Sequence, residues 1–474
     1  MTCLFVRRTV MMLNLFCWIS FIFLMMSCDH SPDTTGWIEK QVTSGDYGHF
    51  INPVQAFSPD NQWIVYDTRN DGGKIGATGT IERVNLASGE QEVIYQTAGQ
   101  TVHGPGVGAA AYAPHKDQVI FIHGIRNSDE SRPYDLSRRT GVGVMPDVPD
   151  SVIFYDARDV VPPFTAGALR GGSHAHSWSA DGQWITFTYN DAIMDQLAQA
   201  GGDVEDLRMI GVITPWTAVD MPADTDGENN SGEYFTMIVS RVTEKPAPGS
   251  DEISKAYEDG WIGQNGYLDA SGQRQRRSIA FLGDVRSAAG ETITEVFVVD
   301  LPEEMPDLSD EEQLRGTETT RPLPLSSVQQ RRVTFTTDRK YPGVQGPRQW
   351  MKSMPDGSRL FFMMKDDDGI VQIFSVSPNG GEINQITDND FSIETSFDID
   401  PEGKWLAYGA SQKLYRTHID SGKTECLLPE VDPDFSSLHS VQWSRDGKML
   451  AYNRRVKAGD TTWYHIFTLA PADE

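Results

Sequence analysis

The sequence predicts an all-β chain folded as a single β-propeller of seven blades, and three observations predict it. First, six segments repeat one pattern, a small or aromatic residue, then Ser-Pro-Asp-Gly or a variant, then an apolar run ending near an aromatic. They read AFSPDNQWIVYD (56–67), AYAPHKDQVIFIHG (111–124), SWSADGQWITFTYND (177–191), KSMPDGSRLFFMM (352–364), FDIDPEGKWLAYG (397–409) and VQWSRDGKMLAYN (441–453). Second, the residues at the Pro position (Pro59, Pro114, Ala180, Pro355, Pro401, Arg445) recur at 44 to 66 residues, apart from one gap of 175. Third, the first strand-like segment of the domain, at QVTSG (41–45), has no partners before it, so it completes the last blade and closes the ring. Closure removes the sheet edges that an open array would leave exposed.

Each repeat reads as two strands around a tight turn, Pro and Asp setting the turn and the Trp, Val, Ile, Phe and Tyr-rich arm suiting a buried pleated sheet. Inside the long gap, RRSIAFLGDV (276–285) and ITEVFVVDLP (293–302) form a strand pair without the turn signature, counted as a seventh, degenerate blade. A third and a fourth strand follow each pair. In IVQIFSVSPNGGEINQITDND (370–390) they are Val371–Val376 and Glu382–Thr387, and RVTFTT (332–337) repeats the fourth. Long insertions are expected near 125–165, 189–208 and 240–275, the middle one carrying a short helix in AIMDQLAQAGGDVEDLR.

Ahead of the repeats, Arg7 and Arg8 precede an apolar stretch, Thr9 to Met26, that ends in Ser27 and Cys28. This is the pattern of a secretory signal with a lipidation cysteine, the alternative being a single membrane span. The expected organisation is a signal peptide and lipidation site over 1–28, a short linker over 29–36 and the propeller over 37–474. The propeller then lies outside the cytoplasm, tethered to a membrane through lipid on Cys28. Of four cysteines, only Cys426 remains in the mature chain once Cys3, Cys17 and Cys28 are assigned to the leader, so no internal disulfide forms. A formal charge of −27 excludes a nucleic-acid partner, which needs clustered Lys and Arg. A monomer is expected.

The Ser-Pro-Asp-Gly strand pairs resemble the TolB-type propeller repeat across nearly the whole mature chain. More specifically, TIERVNLASGEQEVIY (80–95), ALRGGSHAHSWSADGQWITFTYND (168–191), PGSDEISKAYEDGWIG (248–263), GTETTRPLP (316–324), QRRVTFT (330–336) and DDGIVQIFSVSPNGGE (367–382) resemble the YidR-like proteins of enteric bacteria. That resemblance implies a propeller and no particular activity. The Asp at position 29 resembles the inner-membrane retention signal of enteric-type lipoproteins. SHAHSWSADG is also similar to the His-x-His and turn that help hold manganese in oligogalacturonate lyases, seven-bladed propellers. The lyase motif has a Gln three residues before the first His, where this sequence has Gly171.

Candidate site residues follow from the register. His174 and His439 each stand seven residues before the turn Asp, at the start of an inner strand and so near the channel mouth opposite the turns. Asn52, Arg348, Gln349, Glu394 and Thr395 fall at or next to the same register in other blades, a polar collar of the kind a ligand site needs. Residues two apart on a strand share a face, so His174 and His176, with His103 from the adjacent blade, are the candidate ligands for Mn or Zn; nothing in the chain demands a cofactor. Arg126, Arg132, Arg138 and Arg139 lie on one loop, with Arg138 and Arg139 the candidates to receive a carboxylate, against the plainer reading that they pair with Asp129, Glu130 and Asp135. No G-x-S-x-G elbow occurs. Two functions are therefore expected: a membrane-anchored binding or scaffold propeller, holding a periplasmic protein or a small acidic carbohydrate at a His-lined mouth, or a metal-dependent lyase of acidic oligosaccharides.

Overall fold

Seven sheets stand in a ring, all but the last built from strands in chain order. The computed structural model describes residues 36–148, 151–222, 226–304, 311–428 and 435–472; the expected signal peptide and Cys28 lie outside them. Blade 1 has Trp63–Asp67, Thr80–Asn85 and Gln91–Gln96, its innermost segment joined only through bridges at Phe50–Asp67 and Phe57–Ile64. Blade 2 runs Val107–Tyr112, Val119–Gly124, Arg139–Val144, Ile153–Phe154, and blade 3 runs Gly171–Trp178, Ile185–Asp191, Met209–Thr214, Phe235–Ile238. Blade 4 runs Ile253–Trp261, Ser278–Arg286, Thr292–Asp300, Gln329–Arg332; blade 5 runs Lys352–Ser353, Leu360–Lys365, Val371–Val376, Asn384–Gln385. Blade 6 runs Asp398–Ile399, Trp405–Ala410, Lys413–His418, Thr424–Leu428. Blade 7 takes Phe435–Trp443, Leu450–Ala458 and Thr461–Pro471, and its outer strand is Trp37–Gln41 from the other end of the domain. The ring is thus closed as the sequence predicts, and Glu39 seals the seam by accepting from the buried Arg454 at 2.7 Å.

The repeated turn is held by its own side chains. Ser58 Oγ donates to Asp60 Oδ1 at 2.6 Å, Asp60 accepts from Gln62 N, and Ser58 Oγ accepts from Trp63 N. The same bonds recur at Ser179 and Asp181 and at Ser444 and Asp446. In blade 6 Asp400 performs the serine's task, accepting from Lys404 N and Trp405 N. Short polar side chains that bond their own backbone fix such turns, and the apolar arm that follows packs between blades.

Two of the expected insertions are corrected. Within 240–275 lies Ile253–Trp261, the inner strand of blade 4; two register slips break the apolar alternation of ISKAYEDGW and hide the strand. Within 125–165 lie the two outer strands of blade 2, Arg139–Val144 and Ile153–Phe154. The 189–208 segment does carry a helix, Ala192–Gln199, whose N-cap Asp191 accepts from Ile193 N and Met194 N.

One irregularity shapes the channel. The inner strands of blades 2, 3, 4 and 7 slip register by one residue between Gly108 and Ala111, His174 and Ser177, Tyr257 and Gly260, and His439 and Gln442. At each slip one residue takes a left-handed conformation: Ala109 (φ 55°), Ala175 (58°), Glu258 (55°) and Ser440 (57°). These are β-bulges, which re-aim the side chains beside them.

Candidate functional site

The bulges open onto a cavity of about 420 Å³ at the end of the channel opposite the turns. Six blades line it: Asn52 and Arg69 from blade 1, Ala109, Ile122 and Arg139 from blade 2, His174 and Arg208 from blade 3, Arg348 and Trp350 from blade 5, Glu394 and Thr395 from blade 6, and His439 from blade 7. The expected collar is therefore assembled, with His174 and His439 in equivalent places before their bulges. Gln349 is the exception: its Oε1 accepts from Met363 N at 2.7 Å, so it staples blade 5.

The metal set is not brought together. The slip at Ala175 leaves His174 opposite Thr188 and Ser177 opposite Thr186, so His174 shares a face with Ser177 and His176 takes the other. Without the bulge the two imidazoles would share a face, which is what strand alternation led the sequence reading to expect. His176 Nε2 lies 3.1 Å from Ser173 Oγ, and Ser173 in turn donates to the buried Asp156, which also accepts from Thr140 and Gly141 N. This Asp–Ser–His chain is closed to solvent, with serine in the middle, and ties blade 2 to blade 3. His103 sits in a turn at Thr101–Gly104, its carbonyl accepting from Tyr134 N. Among the described residues no three His, Cys, Asp or Glu are grouped to hold a metal ion, so the manganese-type centre suggested by SHAHSWSADG does not fit these side chains.

The two candidate arginines separate as neighbours on a strand should. Arg138 is turned outward and consumed by Glu228 and Asn127, and Arg132 pairs with Asp226 at 3.0 Å and with Asp129 at 3.7 Å; for these the plainer ion-pair reading holds, with Asp129 as expected and Glu228 and Asp226 in addition. Arg139 is turned inward, 8 % exposed, with its guanidinium 4.7 Å over the Tyr134 ring. No carboxylate oxygen among the described residues lies within ion-pair distance of Arg139 or of Arg208, and the Nε of each is buried without a partner. Burial lowers the affinity of both guanidiniums for their proton, and Arg208 adds repulsion at Arg139; an anion between them would relieve both effects. Arg69, by contrast, is already neutralised by a two-pronged bond to Asp67 at 2.6 and 2.9 Å.

Arg348 stands at the rim, its side chain 58 % exposed, stacked 4.5 Å over Trp350 and 3.8 Å from Glu258. Glu258, behind it in the bulge of blade 4, is raised to about 7 by burial, although Arg348 and Arg208 pull the other way. His174 has both ring nitrogens buried and unpartnered, and burial followed by the nearby Arg139 and Arg208 charges holds it well below its usual range, hence neutral. His439, against Phe50 and Tyr464, is lowered by burial. Sequence reasoning missed Arg69, Arg208, Glu258 and Trp350 because no local motif marks them; ring closure alone gathers them.

The opposite mouth is a second, shallower hollow of about 300 Å³ among the turns, lined by Trp178, Trp261, Asp259, Lys352, Asp398, Trp443 and Arg445. Its charges are spoken for. Lys352 pairs with Asp398 at 2.7 Å, Asp398 also accepts from Trp443 N, and Arg445 donates to the carbonyls of Phe57, Tyr112 and Ala113.

Comparison with known proteins agrees with the architecture. Residues 106–228 match a family model described as a protein of unknown function (DUF3748). A protein of Escherichia coli (strain K12) named "Uncharacterized protein YidR" is 40 % identical over 416 residues, covering 87 % of this chain and 94 % of its own. Among solved structures, an oligogalacturonate lyase in complex with manganese superposes with a TM-score of 0.51 at 11 % identity, over 93 % of this chain and 95 % of its own. TolB from Acinetobacter baumannii gives 0.34 at 12 % identity, over 87 % and 80 %. At 11 % identity the likeness to the lyase is one of fold alone.

Proposed function

Since the chain belongs to the family of the Escherichia coli protein YidR, we propose that it is a binding propeller, lipid-anchored through Cys28 outside the cytoplasm, whose channel-mouth cavity receives a small acidic ligand. The observation that carries this is the pair Arg139 and Arg208, two guanidiniums facing one cavity with no carboxylate of the described residues within ion-pair distance. A buried cation is ordinarily paired because leaving it alone costs several kcal/mol (on the order of 3–5). A chain that carries 67 acidic residues against 40 basic ones yet leaves these two unpaired keeps them for an anion from outside. Guanidinium forks match carboxylates two bonds at a time, and the apolar lining from Ile122 and Trp350 suits a ligand with a carbon skeleton.

Titration calorimetry of the full-length protein in detergent, with sulfate and with D-galacturonate as probes, tests the site. Binding of either anion that is lost in the Arg139→Met/Arg208→Met variant is the expected result; equal heats from both proteins would remove the reading. The anchor rests on Arg7, Arg8, the apolar stretch and Cys28, with Asp29 pointing to the inner membrane. Cys28→Ala should move the protein from the membrane to the soluble fraction of the envelope, and persistence in the membrane would favour an uncleaved span instead.

A further inference from the structure

The cavity has two unlike walls, and resting on the anion-binding reading we infer that its ligand is a single small acid with hydrogen-bond donors at its far end, held carboxylate-first, and not a stretch of an acidic polymer. The cationic wall is made by consecutive blades, Arg139 from blade 2 and Arg208 from blade 3, with Arg348 from blade 5 at the rim. Across a ring of seven, blades 2 and 3 face blade 6, with blades 5 and 7 on either side of it. Arg348 stands at the rim on the blade 5 side, and from blades 6 and 7 Glu394, Thr395, Ser396, His439 and Ser440 reach the cavity, a wall with no Lys or Arg and one carboxylate. Thr395 and Ser440 already donate to Ser396 and Ile51 carbonyls, and Glu394 uses one oxygen to accept from Ser411 N at 2.7 Å. What this wall still offers is the other oxygen of Glu394, an acceptor that a hydroxyl or an ammonium satisfies and a second carboxylate does not, beside the His439 imidazole and the Ser396 hydroxyl, which suit a ligand's hydroxyl or amide oxygen as well.

Size and charge exclude the polymer. About 420 Å³ lies near the low end of small-molecule pockets, which run from roughly 300 to 1,000 Å³. Every further acid group of an oligomer would lie outside the arginine wall. There it would pass Glu394 and meet the field of a molecule with a formal charge of −27, unscreened within roughly 8 Å at physiological salt. Arg348 alone cannot offset that series.

The test is calorimetry on the full-length protein in detergent with four probes: D-galacturonate, L-glutamine, trigalacturonate and succinate, with sulfate as the control for the underlying site. The first two share the carboxylate and differ in whether hydroxyls or an ammonium and amide supply the donors, so whichever binds more tightly names the source. Expected is a monomer at least about tenfold tighter than the trimer, and succinate, an acid at both ends, weaker than the monomer. Glu394→Gln should reduce that preference over succinate several-fold, with sulfate bound as tightly as by wild type or more so, since a carboxylate has left the same cavity. A trimer that binds as tightly as the monomer, or succinate that equals it, overturns the inference while Arg-dependent sulfate binding leaves the site standing. Failure of sulfate and all four acids brings down both.

Discussion

The two mouths of this propeller are built from the same repeat and hold similar numbers of charged side chains, yet they treat those charges in opposite ways. At the turn mouth each cation is satisfied from within: Lys352 by Asp398, Arg445 by three carbonyls from blades 1 and 2. At the bulge mouth, no carboxylate of the described residues lies within ion-pair distance of Arg139 or Arg208, and among those residues neither ring nitrogen of His174 has a hydrogen-bond partner. A satisfied polar group holds blades together, whereas an unsatisfied one carries a standing cost that stability alone does not explain. The difference assigns structure to one end and recognition to the other.

The sharpest way to break that contrast is at the turn mouth. Asp398→Ala removes the partner of Lys352 and the acceptor of Trp443 N together. Both partners are about 15 % exposed, so water recovers part of the loss, and a destabilisation of about 2–3 kcal/mol is expected. Denaturant unfolding measures it, and anion affinity at the far mouth should stay at the wild-type value. A variant that keeps its stability but loses anion binding would reverse the assignment of the two ends.

A smaller effect is expected from Glu258. Burial raises its folded value to about 7 against an ordinary 4.5, so between those values the folded protein holds a proton that the unfolded chain has released. Stability contributed by this group is therefore present at low pH and falls as pH rises from about 4.5 to 7. Buried histidines act in the opposite sense: His49 is lowered to about 4 and His176 to about 3, chiefly by burial, which costs stability as pH falls below 6.5. The clean readout is thus the difference between wild type and Glu258→Gln. The variant should gain roughly 1–2 kcal/mol relative to wild type on going from pH 5 to pH 8. Parallel pH profiles would mean that Glu258 stays ionised beside Arg348 and Arg208, and that the cationic wall is already partly paired.

What the sequence disclosed and what it withheld follow the same division. The turn mouth was legible because its chemistry is local: Ser58, Asp60 and Trp63 bond one another within six residues, and the same spacing recurs at Ser179 and Ser444. Seam closure was legible too, since a strand placed at QVTSG (41–45) without neighbours has to pair with the other end of the ring; the strand that does so lies slightly earlier, at Trp37–Gln41. The register of His174, His439, Asn52, Arg348 and Glu394 carried over because it counts back from those turns. The bulges did not, for Ala175 and Ser440 give no sign in sequence of a left-handed backbone, and that one-residue slip turned His176 from a ligand candidate into a tie between blades. Arg208 was invisible for another reason: it stands at the end of a helical excursion, and its neighbours in the cavity, His174, Arg139 and Arg348, belong to other strands and other blades.

The smallest expected effect is also the most discriminating. If Arg208 is kept for a ligand, the empty protein gains little from its charge and suffers repulsion from Arg139. Arg208→Met keeps most of the aliphatic stem and removes a half-buried cation that no carboxylate of the described residues touches, Asp206 and Glu258 attracting it only from beyond ion-pair distance, so the empty protein should be unchanged or more stable by up to about 1 kcal/mol. Removing a structural arginine does the reverse, as Arg445 with its three carbonyl acceptors illustrates. Unfolding should therefore be measured on the empty protein and again with sulfate: the variant is expected to lead without the anion and to trail with it, because only wild type gains from binding. Curves that never cross would place Arg208 with Arg445, as a brace, and leave Arg139 and Arg348 to form the cationic wall by themselves.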